Sequence, residues 1–137
     1  MTLSALCDDA LRRRGPRTEV RVSLPWIRSL PLSSLLEPAV EIDGRRHEPV
    51  VALGDRRVPV TALTDEDGWW YLQDRLVLEI PDAVTPGIRE VSVSFRLEIP
   101  YLPGGPAEPL RLPFSFTRDL VADALVASVS LDVGSAA

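Results

Sequence analysis

A single histidine, His47, is the only imidazole in the chain available for acid–base catalysis or metal binding. It lies beside Arg45, Arg46 and Glu48, directly after a predicted turn, and the single cysteine cannot complete a ligand pattern with it. A catalytic base or a zinc ligand normally needs such partners. We therefore expect His47 to be an exposed turn residue, and we identify no catalytic residue and no metal ligand in this chain.

Three consecutive acidic residues, Asp65, Glu66 and Asp67, precede Gly68 and form the other group that could bind a cation. Calcium-binding loops place their ligands at alternate positions, and this run does not. A solvated turn is the interpretation that the spacing favours. The spacing also suggests no Ser-His-Asp or Cys-His pairing, and no glycine-rich phosphate loop follows a strand.

Charge and hydropathy exclude two further classes of function. The net charge is −5, and the 15 basic residues form no concentrated basic face of the kind that phosphate binding needs. No apolar stretch approaches the length of a membrane span, and the N-terminus lacks the continuous apolar region of a secretion signal. We expect no nucleic-acid partner, no membrane association and a cytoplasmic location.

The period of the apolar residues indicates an all-β fold. Between residues 89 and 99, five apolar residues alternate with polar ones, as in a strand with one face on a core. Thirteen prolines and eight glycines divide the rest into short runs typical of strands and turns. We predict a single-domain antiparallel β-sandwich of jelly-roll type over residues 19–134, after an N-terminal segment of residues 1–18. Helical spacing occurs only in residues 3–11 and 30–36.

Two connections are too apolar or too stiff for ordinary loops. Residues 24–38 contain Trp26, Ile27 and five leucines among three prolines, and residues 100–109 contain Tyr101 and Leu102 among four prolines. Proline lowers the entropic cost of presenting a loop in one shape. Such segments either cap the sandwich or meet another chain, and the physical argument leaves both alternatives open.

The same two segments carry a family resemblance that extends from residue 19 to about residue 120. The ordered elements are Trp26-Ile27-Arg28, Leu30-Pro31-Leu32, Asp43-Gly44, Trp69 or Trp70, Gly87, Ile99-Pro100-Tyr101-Leu102-Pro103 and Phe116-Thr117-Arg118-Asp119-Leu120. In this order they resemble the small β subunit of bacterial C-glycoside deglycosidases. The two ends of the chain depart from the family pattern, so a difference in partner or substrate would lie there.

The resemblance implies a division of labour between two subunits. The small subunit is a β-sandwich, and a larger TIM-barrel α subunit holds a divalent metal of the Mn or Mg type with the acid and base groups. The complex acts on a 3-oxo-C-glycoside, in which the ketone acidifies the C2 proton, and β-elimination then expels the aglycone carbon. This chain would scaffold the barrel or form one wall of its pocket. The expected contact residues are Trp26, Ile27, Arg28, Tyr101, Leu102 and Pro103.

Two other functions remain as alternatives. A free-standing carbohydrate-binding module would use Trp69, Trp70 and Tyr71 as a stacking platform, although strand alternation predicts that Trp70 faces away from the other two. An independent small enzyme would need an acid–base pair that the sequence does not offer. Glycan binding by the chain alone would favour the first alternative, and activity of the chain alone would favour the second.

Overall fold

The computed structural model describes residues 5–85, 87–123 and 131–132, and the regular secondary structure within them is almost entirely strand. The strands are β1 (Leu11–Arg14), β2 (Arg17–Ser23), β3 (Leu30–Pro31), β4 (Leu35–Ile42), β5 (Arg45–His47), β6 (Val50–Leu53), β7 (Arg56–Pro59), β8 (Trp69–Trp70), β9 (Asp74–Ile80), β10 (Ile88–Gly105), β11 (Glu108–Val121) and β12 (Leu131–Asp132). Two short 3-10 helices, Leu32–Ser34 and Val60–Asp65, complete the described elements.

The strands form two larger sheets and a two-stranded ribbon. The first sheet has the order β1-β2-β9-β6-β7, with β12 beside β9, and the second has the order β11-β10-β4-β5. The ribbon pairs β3 with β8. Among the described pairings only that of β12 with β9 is parallel. Buried apolar residues of both larger sheets join in one core cluster, which confirms the predicted all-β sandwich.

The long strand β10 shows why the sequence folds in this way. Its apolar residues at alternate positions are buried, while the residues between them are not: the buried set is Val91, Val93, Phe95, Leu97 and Ile99. They share the core with buried residues of β2 and β9, such as Val20 and Leu78. The predicted turn at Asp43-Gly44 is also confirmed, since both residues adopt positive φ between β4 and β5.

Several local expectations are wrong. No helix occupies the described part of residues 3–11, because β1 begins at Leu11 and pairs with β2. By contrast, the short helical turn predicted after Pro31 is present as the three-residue 3-10 helix Leu32–Ser34 between β3 and β4. Residues 100–109 are not a loop, since β10 and β11 continue through them as a hairpin arm that turns at Pro106 and Ala107. The arm is possible because two register shifts accommodate its prolines.

The N-terminal segment belongs to the first sheet from β1 onwards. Ala5, Leu6, Ala10 and Leu11 are buried in the common core, and the Ala10 carbonyl accepts a hydrogen bond from the Arg21 backbone N–H. The predicted boundary between residues 18 and 19 therefore falls inside β2. The predicted strand at residues 126–131 lies outside the described residues except for its last position.

Candidate functional site

Tyr101 contacts two of the other five residues expected at a partner interface. The Trp26 indole Nε1–H donates a hydrogen bond of 2.6 Å to the Tyr101 hydroxyl oxygen. The Arg28 guanidinium carbon lies 5.5 Å from the centroid of the Tyr101 ring, within the range of a cation–π contact. The structure therefore brings together two segments that are separated by more than seventy residues in the sequence.

The other three predicted residues flank this contact in different environments. Ile27 is 70% exposed, the largest exposed fraction among the large hydrophobic residues that the structure describes. Leu102 is partly buried and packs against the core, whereas Pro103 is exposed and pairs with Pro109 in the hairpin arm. The six residues are thus near one another along two segments, but Leu102 contributes mainly to packing within the chain.

The apolar connection of residues 24–38 combines capping of the core with an exposed surface. Leu24, Leu30, Leu32 and Leu35 are buried and close the end of the core, as capping predicts. Ile27 points into solvent, as a partner surface predicts. The segment is fixed in place because β3 pairs with β8 and because the Ser29 hydroxyl accepts a 2.7 Å hydrogen bond from the Leu72 backbone N–H.

This hydrogen bond adds a third segment to the surface. Tyr71 and Leu72 follow β8 and are about half exposed, like Tyr101. We call the group of Trp26, Ile27, Arg28, Tyr71, Leu72 and Tyr101 the aromatic end. Four of these side chains are among the seven large hydrophobics that are exposed in the described part of the chain. Sequence reasoning did not assign Tyr71 and Leu72 to the interface, because only the fold places them beside residues 26–29.

His47 is not the exposed turn residue that the sequence predicted. It lies at the end of β5 with its side chain 11% exposed, and its Nδ1 is 3.4 Å from a carboxylate oxygen of Asp82. Asp82 is held in turn, because its carbonyl accepts a 2.7 Å hydrogen bond from the Thr18 hydroxyl. The His47–Asp82 contact therefore holds the segment after β9 against β5. Asp82 could not be identified as the partner of His47 from local spacing in the sequence.

A neighbouring carboxylate, Asp43, fastens the turn between β4 and β5 to β10. It accepts hydrogen bonds from the Glu90 backbone N–H at 3.0 Å and from the Arg89 guanidinium at 3.1 Å. These two donors, the backbone one first, hold the pKa of Asp43 below its ordinary value of 3.8. Because both hydrogen-bond donors are groups of β10, we interpret Asp43 as a residue that stabilises the fold.

Metal binding finds no support in the arrangement of acidic, histidine and cysteine side chains. Across residues 5–85 and 87–123, no three of these side chains come together in a way that could hold a metal ion. No helix in the described ranges is long and apolar enough to cross a membrane.

A cleft of about 560 Å³ opens beside Trp69, on the first residue of β8. Its lining comes from four parts of the chain: Leu32, Leu53, Arg56 and residues 65–69. Within the acidic run, Glu66 forms a two-point ion pair with Arg56 at 3.3 and 3.1 Å, whereas Asp65 and Asp67 are exposed, as a solvated turn predicts. Trp70, the next residue, is buried, which rules out the platform of three adjacent aromatic residues.

Comparison with known proteins finds relatives that are all named as β subunits of deglycosidases. The chain is 36% identical over 104 residues to the 3'-dehydrocarminate deglycosidase β subunit of a Microbacterium species, covering 72% of this chain and 78% of that protein. It is 33% identical over 118 residues to a C-glycoside deglycosidase β subunit of Microbacterium trichothecenolyticum, covering 82% and 89%. A β subunit of the same name from Arthrobacter globiformis is 34% identical over 95 residues, covering 65% and 72%. No protein-family profile matches the chain.

Proposed function

Because this chain belongs to the family of C-glycoside deglycosidase β subunits, we propose that it scaffolds a larger catalytic α subunit through its aromatic end. The name of the family implies a second subunit in the same complex. The observation that carries the proposal is the contact of Trp26 and Arg28 with Tyr101, which fixes an exposed aromatic and basic cluster in one conformation.

The composition of the aromatic end supports a protein partner. Tryptophan, tyrosine and arginine are the residue types most enriched at the energetic centres of protein interfaces. Trp26 and Tyr101 have already lost part of their freedom to their mutual hydrogen bond, so binding would cost less entropy than with mobile side chains. Ile27, exposed beside them, supplies apolar area that a partner could cover.

The reaction that we propose for the complex is cleavage of the carbon–carbon bond between sugar and aglycone in a 3-oxo-C-glycoside. The relative named for 3'-dehydrocarminate supports a substrate that is oxidised at the sugar's 3' position. A ketone at that position acidifies the neighbouring C2 proton, and elimination then releases the aglycone. We assign the barrel fold, the divalent metal and the acid and base groups of this lyase to the α subunit, and the whole complex to the cytoplasm.

The test is co-expression of this chain with the barrel-type α subunit, followed by affinity purification through a tag on the α subunit. We expect the two chains to co-purify and the complex to act on a 3-oxo-C-glycoside. The double variant Arg28→Ala/Tyr101→Ala should weaken assembly about 100-fold, because it removes two interface anchors. Arg46→Ala, an exposed arginine in β5 at one edge of the second sheet, is the matched control and should assemble normally.

Two outcomes would contradict the proposal. One is an α subunit that is soluble and fully active without this chain. The other is equal assembly of the double variant and the control, provided that circular dichroism shows both variants to be folded. Turnover of the 3-oxo-C-glycoside by this chain alone would assign the chemistry to it and would overturn the division of labour.

A further inference from the structure

We propose that the cleft beside Trp69 is a binding site for a neutral pyranose ring. This goes beyond the scaffolding function, since it gives the chain a ligand of its own. The cleft measures about 560 Å³, inside the range of roughly 300–1,000 Å³ that small-molecule sites occupy. It is a depression with an apolar floor, since Leu32 and Leu53 are both buried beneath it.

Trp69 supplies the flat apolar face that such a ligand requires. The indole is 47% exposed although Trp70 beside it is fully buried, so β8 directs one ring into the core and the other to the cleft. The C–H face of a pyranose is apolar and packs on an aromatic ring of this kind. The backbone of β8 is held by its pairing with β3, which keeps Trp69 opposite Pro31.

The other lining residues include polar groups suited to hydroxyl groups. Asp65, Glu66 and Asp67 offer acceptors, and Arg56 offers donors. Glu66 is positioned by its two-point contact with Arg56, so these groups are partly pre-organised before a ligand arrives. An apolar floor, one aromatic face and a few convergent polar groups are together the features of a small-molecule site.

The charge of the lining selects against anionic ligands. Three carboxylates and one guanidinium line the cleft, so it has a net negative charge. A phosphate or a carboxylate would be repelled at low ionic strength, whereas an uncharged polyol would not. A Cβ on Gly68 would come 3.1 Å from the Leu32 side chain, so the absence of a side chain lets these two lining residues lie close together.

The experiment is a titration of the ¹⁵N-labelled full chain with methyl β-D-glucopyranoside, followed through the three indole N–H signals. We expect the Trp69 signal to shift and to saturate. The Trp26 and Trp70 indoles serve as internal references, because they already donate to the Tyr101 hydroxyl and to the Asp74 carbonyl. D-glucuronate should bind at least several-fold more weakly at low salt, and added salt should reduce that difference.

Three variants distinguish stacking on Trp69 from non-specific binding. Trp69→Ala should weaken binding about tenfold, and Trp69→Phe should restore part of the loss. Ile88→Ala removes an exposed apolar side chain that belongs neither to the cleft lining nor to the aromatic end, and it should bind as the unmodified chain does. If Trp69→Ala is poorly folded, the Trp69 indole signal of the unmodified chain still shows whether the sugar binds at the cleft.

The proposal is overturned if the Trp69 signal shows no saturable shift up to about 50 mM sugar, where millimolar binding would be nearly complete. It is also overturned if glucuronate binds as well as the neutral sugar or if Ile88→Ala loses as much binding as Trp69→Ala. The titration needs no partner subunit, and co-purification needs no sugar. Failure of the pyranose site and failure of the scaffolding function are therefore distinguishable.

Discussion

Individual side chains in this protein are fixed by partners that are distant in the sequence. Trp26 and Tyr101 could be chosen as candidates because the family resemblance covers both segments. Their hydrogen bond could not be predicted, because no local spacing relates residues so far apart. The same holds for His47, whose predicted exposure was wrong because Asp82, which follows β9, lies against it. Arg56 drew no attention in the sequence, since its ion pair with Glu66 in the cleft lining is formed only by the fold.

Glu79 is the clearest stabilising residue at this scale. It is buried in β9, and its two carboxylate oxygens accept hydrogen bonds from Arg17 at 2.7 Å and from Arg57 at 2.9 Å. Both arginines are partly exposed, so solvent screens part of the attraction. We expect Glu79→Ala to lower the free energy of unfolding by about 2–3 kcal/mol, because it removes a buried acceptor that links three strands. Urea denaturation measures the change.

The control for Glu79 is a pair on the second sheet. Glu98 contacts Arg111 at 3.2 Å, and both side chains remain accessible to water. Glu98→Ala should cost about 1 kcal/mol at most, as is usual for exposed ion pairs. If the two alanine variants lose the same stability, burial does not make the Glu79 ion pairs stronger than an exposed pair.

At the scale of elements, alternation predicted the strands well wherever one face is buried. Residues 89–99 and Asp43-Gly44 follow directly from the period of two and from turn chemistry. The hairpin arm was missed because proline cannot donate to a ladder, so the prolines of residues 100–109 indicated a loop. β1 was missed for another reason: three of its four residues are arginine, and only Leu11 is fully buried.

Gly104 is the residue on which the hairpin arm depends. It lies between two paired positions of β10, at a register shift, and a Cβ there would come 2.5 Å from the Pro109 carbonyl oxygen. We expect Gly104→Ala to distort the arm that carries Tyr101 and to cost about 1–3 kcal/mol. Assembly with the α subunit should weaken with it. Thermal denaturation and co-purification measure the two effects.

The next residue provides the control for this substitution. A Cβ on Gly105 would meet nothing within 4 Å, so Gly105→Ala should change both stability and assembly little. Equal behaviour of the two variants would mean that the close approach at Gly104 does not constrain the arm.

For the whole molecule, the sequence predicted the sandwich but not the way in which its sheets are joined. The common core follows from alternating apolar faces, which are visible in the sequence. The polar links do not follow from any local pattern. Asp123, after β11, accepts hydrogen bonds from the backbone N–H and the guanidinium of Arg13 in β1, and so connects the second sheet to the first. Asp43 similarly joins β10 to the turn after β4.

Acid stability should depend on these two carboxylates. Their hydrogen bonds, first those from the backbone of Arg13 and Glu90, hold the pKa of each below its ordinary 3.8. A lowered folded-state pKa means that the ionised form stabilises the fold. This contribution is complete above the ordinary pKa and is lost as the pH falls through the folded-state value. The variant Asp43→Asn/Asp123→Asn should therefore be less stable than the unmodified chain at about pH 6, and the difference should shrink as the pH falls below the ordinary pKa.

Chemical denaturation at a series of pH values measures this prediction. The expected result is a difference in unfolding free energy that shrinks as the pH falls below 3.8, the ordinary value for aspartate. A difference that stays constant across the whole series would show that the two amides disturb the fold by shape and not by the loss of charge.

The outermost strands of the two larger sheets affect the tendency of the protein to aggregate at high concentration. Among the described strands these are β1, β7, β5 and β11. The first three are only three or four residues long and carry arginines, and β11 carries Pro109 and Pro113, which have no N–H to offer. Short, charged or proline-bearing edges discourage strand-by-strand growth into aggregates. A folded chain that has not yet met its partner subunit is thereby protected from polymerising through its sheet edges. Binding of the partner then depends on side-chain contacts and not on strand pairing.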